Sequence, residues 1–295
     1  MRSAGPPGAP LKLGGRTFPP AATLVMGIVN RTPDSFYDPG ATWTEAAALD
    51  LAARHLDEGA DIIDVGGVKA GPGEAVDPAE EVRRTAGFVA LLRERHPDAV
   101  ISVDTWRADV AEVLLAEGAD LVNDTWGGPD PRVPEVVARA GAGLVCAHAG
   151  GLAPRTRPHR VAYDDVVADV RARVTGLADR AVACGVRPDG ILIDPAHDFG
   201  KNTWHSLEVT RRLDELVATG WPVLVALSRK DFLGETLDLP PDRRLAATLA
   251  ATAISAWHGA RVFRAHDVAA TRQVLDTVAS IRGLRPPAVA RRGLA

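Results

Sequence analysis

Eight short runs rich in Val, Ile and Leu recur along the chain, at 23–30, 60–67, 100–105, 120–126, 143–149, 190–195, 222–228 and 261–267. Their apolar residues fail to alternate cleanly with polar ones, which is the pattern of parallel strands covered on both faces rather than of half-exposed antiparallel strands. Polar residues collect at the C-terminal ends of the runs. Between them lie stretches of helical periodicity at about 43–58, 78–95, 106–117, 131–140, 163–184, 204–219, 243–258 and 268–282. In the first, Leu49, Ala52, Ala53 and Leu56 share one face while Asp50, Arg54 and Asp57 occupy the other, the sidedness of a helix in an outer layer. The phrases Glu58-Gly59-Ala60, Glu117-Gly118-Ala119 and Ala140-Gly141-Ala142 each place a glycine shortly before a strand, where it closes a helix in the left-handed conformation at low steric cost.

Eight strand–helix units predict an α/β protein with one closed (β/α)8 TIM barrel, whose site is built at the C-terminal strand ends. A doubly wound open sheet is the second choice. The barrel is expected over 16–284, with a flexible Pro/Gly-rich segment at 1–15 and a loose basic tail at 285–295. The polar loops at 68–77 and 150–162 are rich in Gly, Pro or Arg, and they are the candidates for a lid or substrate loop.

Composition narrows the function classes. A 295-residue chain can build one large core, and its net charge of -4, from 34 basic and 38 acidic side chains, offers no general reason to bind nucleic acid or an acidic membrane. An anionic ligand must therefore be met by local cations. No apolar run approaches the roughly 18 residues that cross a bilayer and no apolar signal segment precedes the first strand, so a cytoplasmic location is expected. Cys146 and Cys184 belong to no Cys-x-x-Cys unit or metal spacing and are read as reduced and buried, while His148, His197 and His205 form no His-Glu-x-x-His pattern, which argues against zinc.

The strand ends carry recognisable phrases. Met26-Gly27-Ile28-Val29-Asn30-Arg31-Thr32-Pro33-Asp34-Ser35-Phe36 is followed by Asp64-Val65-Gly66-Gly67, Ser102-Val103-Asp104-Thr105, Val122-Asn123-Asp124, Asp194-Pro195, Phe199-Gly200-Lys201, Ser228-Arg229-Lys230 and Arg264-Ala265-His266-Asp267. In order and spacing the series resembles the dihydropteroate synthases over residues 23–282. That family serves folate biosynthesis as a transferase. It joins the methylene carbon of 6-hydroxymethyl-7,8-dihydropterin diphosphate to the amine of p-aminobenzoate and releases diphosphate. The resemblance implies that Asp104, Asn123, Asp194 and Lys230 bind the pterin, and that Asn30, Arg264 and His266 lie near the diphosphate. Arg264 and His266 then take the catalytic role of stabilising the leaving anion. Asn30 becomes a ligand for Mg2+, which completes its oxygen shell from diphosphate and water. No organic cofactor is expected, and a homodimer is the family's usual assembly.

The sequence also departs from that pattern. Where synthases resemble Asp-x-Gly-Gly-Glu-Ser-Thr-Arg-Pro, this chain reads Val68-Lys69-Ala70-Gly71-Pro72 after the glycines, so the Thr-Arg pair becomes Ala70-Gly71. A hydroxyl and a guanidinium are lost where diphosphate and the arylamine are organised. Arg31 and Lys69 are the candidate compensating cations, although a lysine replaces the charge of an arginine and not its forked geometry. Cys146-Ala147-His148-Ala149-Gly150 lacks the methionines that flank the family's histidine, and Ala196 and Asp198 replace glycines after Asp194. Lys201, Arg229, Arg155, Arg157 and Arg160 are secondary anion-binding candidates or solvated charges, and Trp126 is a candidate ligand contact or a packing residue. Three functions follow: a pterin-binding homologue with weak or absent synthase activity, an active dihydropteroate synthase, or a barrel acting on another anionic metabolite. The first is the leading reading.

Overall fold

The computed structural model describes residues 9–32 and 44–292. A hairpin of β1 (Leu11–Leu13) and β2 (Arg16–Phe18) precedes eight strands: β3 (Leu24–Asn30), β4 (Ile62–Gly66), β5 (Val100–Asp104), β6 (Leu121–Asp124), β7 (Gly143–Ala147), β8 (Ile191–Asp194), β9 (Leu224–Ala226) and β10 (Val262–Ala265). These eight pair in parallel, in the order β8-β7-β6-β5-β4-β3-β10-β9, and a parallel bridge between Ile193 and Val223 closes the ring. The helices are α1 (Glu45–Asp57), α2 (Pro78–Arg95), α3 (Ala108–Ala116), α4 (Val133–Ala140), α5 (Val166–Ala183), α6 (Thr203–Arg211), α7 (Asp214–Val217), α8 (Asp231–Leu237), α9 (Leu245–His258) and α10 (Val268–Ile281). The fold is the (β/α)8 barrel that the alternating pattern predicts.

Non-alternating strands make sense once both faces are buried. Val25, Ile63, Ile101 and Val122 point outward into the layer shared with the helices. Their neighbours Leu24, Met26, Ile62, Val100, Leu121, Val145, Leu192, Leu224 and Val262 fill the barrel interior. The lower end is stoppered by the hairpin, whose Leu11, Leu13 and Phe18 join that interior cluster. This corrects the expectation of a loose segment through 15. Arg261 holds the hairpin by donating to Ala9 O at 3.0 Å and to Pro19 O at 2.9 Å, a long-range tie that local composition does not reveal.

The repeated Gly-Ala phrases mark a repeated device at this end. Gly59, Gly118 and Gly141 all adopt positive φ, as glycines closing a helix do. After the first two comes an aspartate with matching contacts. Asp61 accepts from Val25 N at 2.9 Å and Arg272 Nη2 at 2.5 Å, and Asp120 accepts from Ile101 N at 2.9 Å and Arg93 Nη2 at 2.5 Å. Two elements differ from the periodic reading. The helix expected at 204–219 is divided into α6 and α7, and α8 intervenes between β9 and α9. The backbone N–H groups of Asp231 and Phe232, which open α8, donate to the Asp198 carboxylate across from the loop after β8. That cap is tertiary and invisible to a periodicity scan.

Candidate active site

Parallel register brings the functional residues level. Asn30 pairs with Gly66, Gly66 with Asp104, and Asp104 with Asn123, across four neighbouring strand ends. A Cβ built on Gly66 would lie 3.4 Å from Asn30 Oδ1 and 3.8 Å from Asp104 Cβ, so the missing side chain leaves Asn30 and Asp104 room to flank one space.

One turn of the pleat deeper sits Asp64, which is fully buried. It accepts from Arg264 Nε at 2.6 Å, from Ser102 Oγ at 2.5 Å and from Asn123 Nδ2 at 3.3 Å. The guanidinium of Arg264 also reaches Asp104 Oδ2 at 3.1 Å through Nη2, while Asp104 Oδ1 accepts from Thr125 Oγ1 at 3.2 Å. Against the burial that would lower it, the carboxylates of Asp64 and Asp104 hold the Arg264 pKa above its ordinary value. Burial pushes Asp104 up to about 7, opposed by Arg264. Asp64 is the central residue of this network that motif reading passed over as a ligand-site member. Its signal was a carboxylate inside the apolar phrase Ile62-Ile63-Asp64-Val65, which burial makes tenable only with organised partners.

On the opposite side of the mouth, Asp194 Oδ1 accepts from Ala196 N at 2.6 Å, and burial raises the pKa of this carboxyl. Lys230 donates to His197 O at 2.7 Å and rests 4.4 Å from the centroid of the Phe199 ring. Burial lowers its pKa, with Asp198 and Asp194 opposing. The Asn123 Oδ1 atom is buried without a hydrogen-bond partner among the described residues. A buried acceptor left in that condition costs about 1–3 kcal/mol.

His266 is held by Ser228. Its backbone N–H donates to Ser228 Oγ at 3.3 Å, and the same hydroxyl lies 2.9 Å from Nδ1. With one proton and two lone pairs, that hydroxyl either donates to Nδ1 or accepts from it as well, so the contact is compatible with both neutral tautomers. Burial, reinforced by Arg264, Arg229 and His55, pushes the imidazole down to about 3. His266 is thus a neutral hydrogen-bond donor at ordinary pH and not a second cation.

The altered loops are tied to each other. Arg155, in the left-handed conformation at φ 65°, donates to Gly71 O at 3.3 Å and to Glu74 O at 2.5 Å. The loop at 150–162 thereby clasps the loop at 68–77, at the point where the Thr-Arg pair is missing. Ala70 is exposed, and half-buried Lys69 has no hydrogen bond or ion pair among the described residues. Arg31 donates to Arg84 O at 3.3 Å and lies 5.3 Å from the Phe88 centroid, against α2 on the outside of the barrel wall. The phrase from Pro33 to Phe36 falls outside the described residues.

Two of the secondary cations are structural. Arg229 is buried and forks onto Asp267 at 3.2 and 3.1 Å while donating to Pro241 O and Asp242 O. Lys201 is enclosed at 2 % exposure among carbonyls and His148, and burial pushes its pKa down to about 7. Arg157 and Arg160 are exposed. Trp126 is buried, edge-on to Phe199 at 4.9 Å and to Trp106 at 6.5 Å, which is a packing role. Burial raises the Cys146 thiol to about 12, whereas Cys184 is only half-buried, contrary to the expectation that both are buried. No cluster of three or more His, Cys, Asp or Glu side chains suited to a metal occurs among the described residues, and no described helix is long and apolar enough to cross a membrane.

Comparison with known proteins agrees with this geometry. The model of the pterin binding enzyme family matches residues 26–266. An inactive dihydropteroate synthase 2 of Mycobacterium tuberculosis is 60% identical over 285 residues, which is 95% of this chain and 90% of that one. A dihydropteroate synthase of Mycobacterium leprae is 40% identical over 268 residues, 88% of this chain and 93% of that one. The crystal structure of a Yersinia pestis dihydropteroate synthase with a sulfonamide drug superposes with a TM-score of 0.88 at 34% identity, covering 94% of this chain and 100% of the other. The matched span runs from the first strand-end phrase to the last, and the chain belongs to the pterin-binding enzyme family as a diverged dihydropteroate synthase-like member.

Proposed function

We propose that this barrel binds a dihydropterin, with or without its diphosphate, and carries weak or absent dihydropteroate synthase activity. The observation that carries the reading is the buried Asn123 Oδ1, without a hydrogen-bond partner among the described residues and level with Asp104, at the same end of the barrel as Asp194 and Lys230, where the loops that organise the second substrate have changed. Asn123 and the two carboxylates accept from the amino and amide N–H groups of a pterin ring, and the Lys230 ammonium donates to a ring acceptor. Similarity to a relative described as inactive supports the same division between binding and turnover.

For the full reaction, carbon–oxygen cleavage builds positive charge on the pterin methylene and negative charge on diphosphate, and the arylamine then attacks the carbon. Arg264 supplies a cation for that anion and His266 a neutral N–H. Arg264 is already neutralised in part by Asp64 and Asp104, so its remaining attraction for a distant phosphate is reduced. Asn30, beside the space left by Gly66, offers one oxygen to Mg2+, and bound Mg2+ would neutralise diphosphate charge with its other ligands drawn from diphosphate and water. Nothing at Ala70 or Gly71 replaces the hydroxyl and guanidinium that would orient p-aminobenzoate. Lys69, next to Ala70, and Arg31, just past the end of β3, are the candidate compensating cations. A homodimer through the last helices is supported by the exposed Ile254 and Trp257 of α9 and Ile281 of α10.

Calorimetric titration with 6-hydroxymethyl-7,8-dihydropterin diphosphate and Mg2+ tests binding, and a steady-state assay with added p-aminobenzoate tests turnover. Binding with no dihydropteroate above the uncatalysed background is the expected result. Turnover at the rate of a standard synthase would favour the active enzyme, and absence of binding would point to another anionic metabolite.

A further inference from the structure

Lys201 is a buried ammonium with no carboxylate at hydrogen-bond distance among the described residues. It faces four acceptors: His148 Nδ1 at 2.7 Å, His148 O at 3.1 Å, Phe199 O at 3.0 Å and Ala196 O at 3.3 Å. Three N–H bonds shared among four acceptors leave little freedom for the side chain. The acceptors come from two places, the end of β7 and the loop that follows β8.

That loop is the one that needs holding. It contains two non-glycine residues in the left-handed region, Ala196 at φ 48° and Asp198 at φ 71°, each of which costs about 1–2 kcal/mol in that conformation. The N–H of Ala196 fixes the Asp194 carboxylate, the carbonyl of His197 receives Lys230, and the ring of Phe199 lies beneath the Lys230 ammonium. The carbonyls that Lys201 grips, of Ala196 and Phe199, flank the carbonyl that Lys230 uses. Tyr163 adds a further tie from α5's approach by donating to Gly200 O at 2.6 Å. His148 in turn donates through Nε2 to Asp169 Oδ1 at 2.7 Å. This arm ends beside an open pocket of about 460 Å³ lined by Gly150, Gly151, Tyr163 and Arg173.

We propose that Lys201 is a positioning residue for ligand recognition: by gripping the carbonyls of Ala196, Phe199 and His148 it sets the loop that aims Asp194 and Lys230 into the pocket. It touches no ligand itself. The role rests on the pterin reading above, and it goes beyond that reading by assigning the pocket's preorganisation to a residue buried behind it.

The test compares wild type with Lys201→Met, which keeps the length of the side chain and removes the ammonium. The probe is 6-hydroxymethyl-7,8-dihydropterin diphosphate with Mg2+, titrated well below the unfolding temperature of each variant. Lys201→Met is expected to weaken binding at least tenfold and to speed amide hydrogen exchange at 196–200. In a Lys230→Met background the same change should weaken binding by a clearly smaller factor, because one of the two groups it positions is gone and only Asp194 remains. An equal factor in both backgrounds, or unchanged exchange at 196–200, would reduce Lys201 to a general stabiliser and overturn the proposal. If wild type binds and Lys201→Met binds within twofold of it, the positioning role fails while the pterin reading stands. If wild type does not bind, both fail. Should Lys201→Met not fold, His148→Phe removes the Nδ1 acceptor and leaves the lysine in place, and a loss of about threefold is expected against no loss if the grip is irrelevant.

Discussion

Arg264 and Asp64, 200 residues apart in the chain, meet at 2.6 Å inside the barrel and leave the arginine's other arm on Asp104 at 3.1 Å. The cation expected to serve an incoming anion is therefore also the counterion that makes two buried carboxylates tolerable. Breaking a buried pair by deleting one partner typically costs about 3–5 kcal/mol, because the surviving charge stays buried. Asp64→Asn should lose about 3 kcal/mol in urea unfolding, at the low end because Asp104 still faces Arg264. A loss below about 1 kcal/mol would mean that Asp104 alone suffices.

Asp124 follows Asn123 on β6 but sits with Val133, Leu177 and Arg180 on the helix side of the strand, where it provides a pH signature. Its carboxyl accepts from Trp126 N at 3.2 Å and Gly128 N at 3.0 Å, yet burial pushes its pKa from 3.8 up to about 7. Between those values the folded chain keeps a proton that the unfolded chain has released, so this group's contribution to stability falls as pH rises through the window and levels off above it. Wild type should lose stability relative to Asp124→Asn between pH 4.5 and 7.5, read as the difference of their urea midpoints. A difference independent of pH contradicts the assignment.

Ala196 and Asp198, where the resemblance to the synthases implies glycines, both adopt the left-handed conformation that glycine takes most easily, φ 48° and 71°. The two substitutions back to glycine should have opposite signs. Ala196→Gly relieves left-handed strain and, after glycine's entropic cost, should stabilise by about 0.5–1 kcal/mol. Asp198→Gly relieves similar strain but strands the backbone N–H groups of Asp231 and Phe232 that its carboxylate accepts from; two unsatisfied donors at about 1–3 kcal/mol each outweigh the relief, so it should destabilise by about 1 kcal/mol. Thermal unfolding of the two variants checks the pair, and a shared sign would be inconsistent with this account.

Arg155 joins the loops at 150–162 and 68–77 through two backbone carbonyls. Both loops lie outside the apolar shell, so Arg155→Ala should cost less than about 1 kcal/mol globally. Locally, amide exchange over 69–76 should accelerate about tenfold, a loss of about 1.4 kcal/mol of local protection. Mass-spectrometric exchange resolves the two effects. Uniform acceleration across the barrel would show that the clasp supports the whole fold.

Much of this molecule can be read from order along the chain. Non-alternating apolar runs with sided helices between them require strands buried on both faces, and the strand-end phrases place Asp104, Asn123, Asp194, Lys230, Arg264 and His266 around one mouth because parallel strands bring their C-terminal ends together. What tertiary structure decided was who partners whom. The same chemistry that made Lys201 and Arg229 candidate anion sites is spent on carbonyls and Asp267, and Asp64 is central only because Arg264 returns to it from the last strand. A buried charge takes the nearest organised partner in space. Sequence determines that such a charge exists and on which strand it sits; only the closed barrel sets the distances of about 3 Å that decide whether it binds a ligand or its own fold.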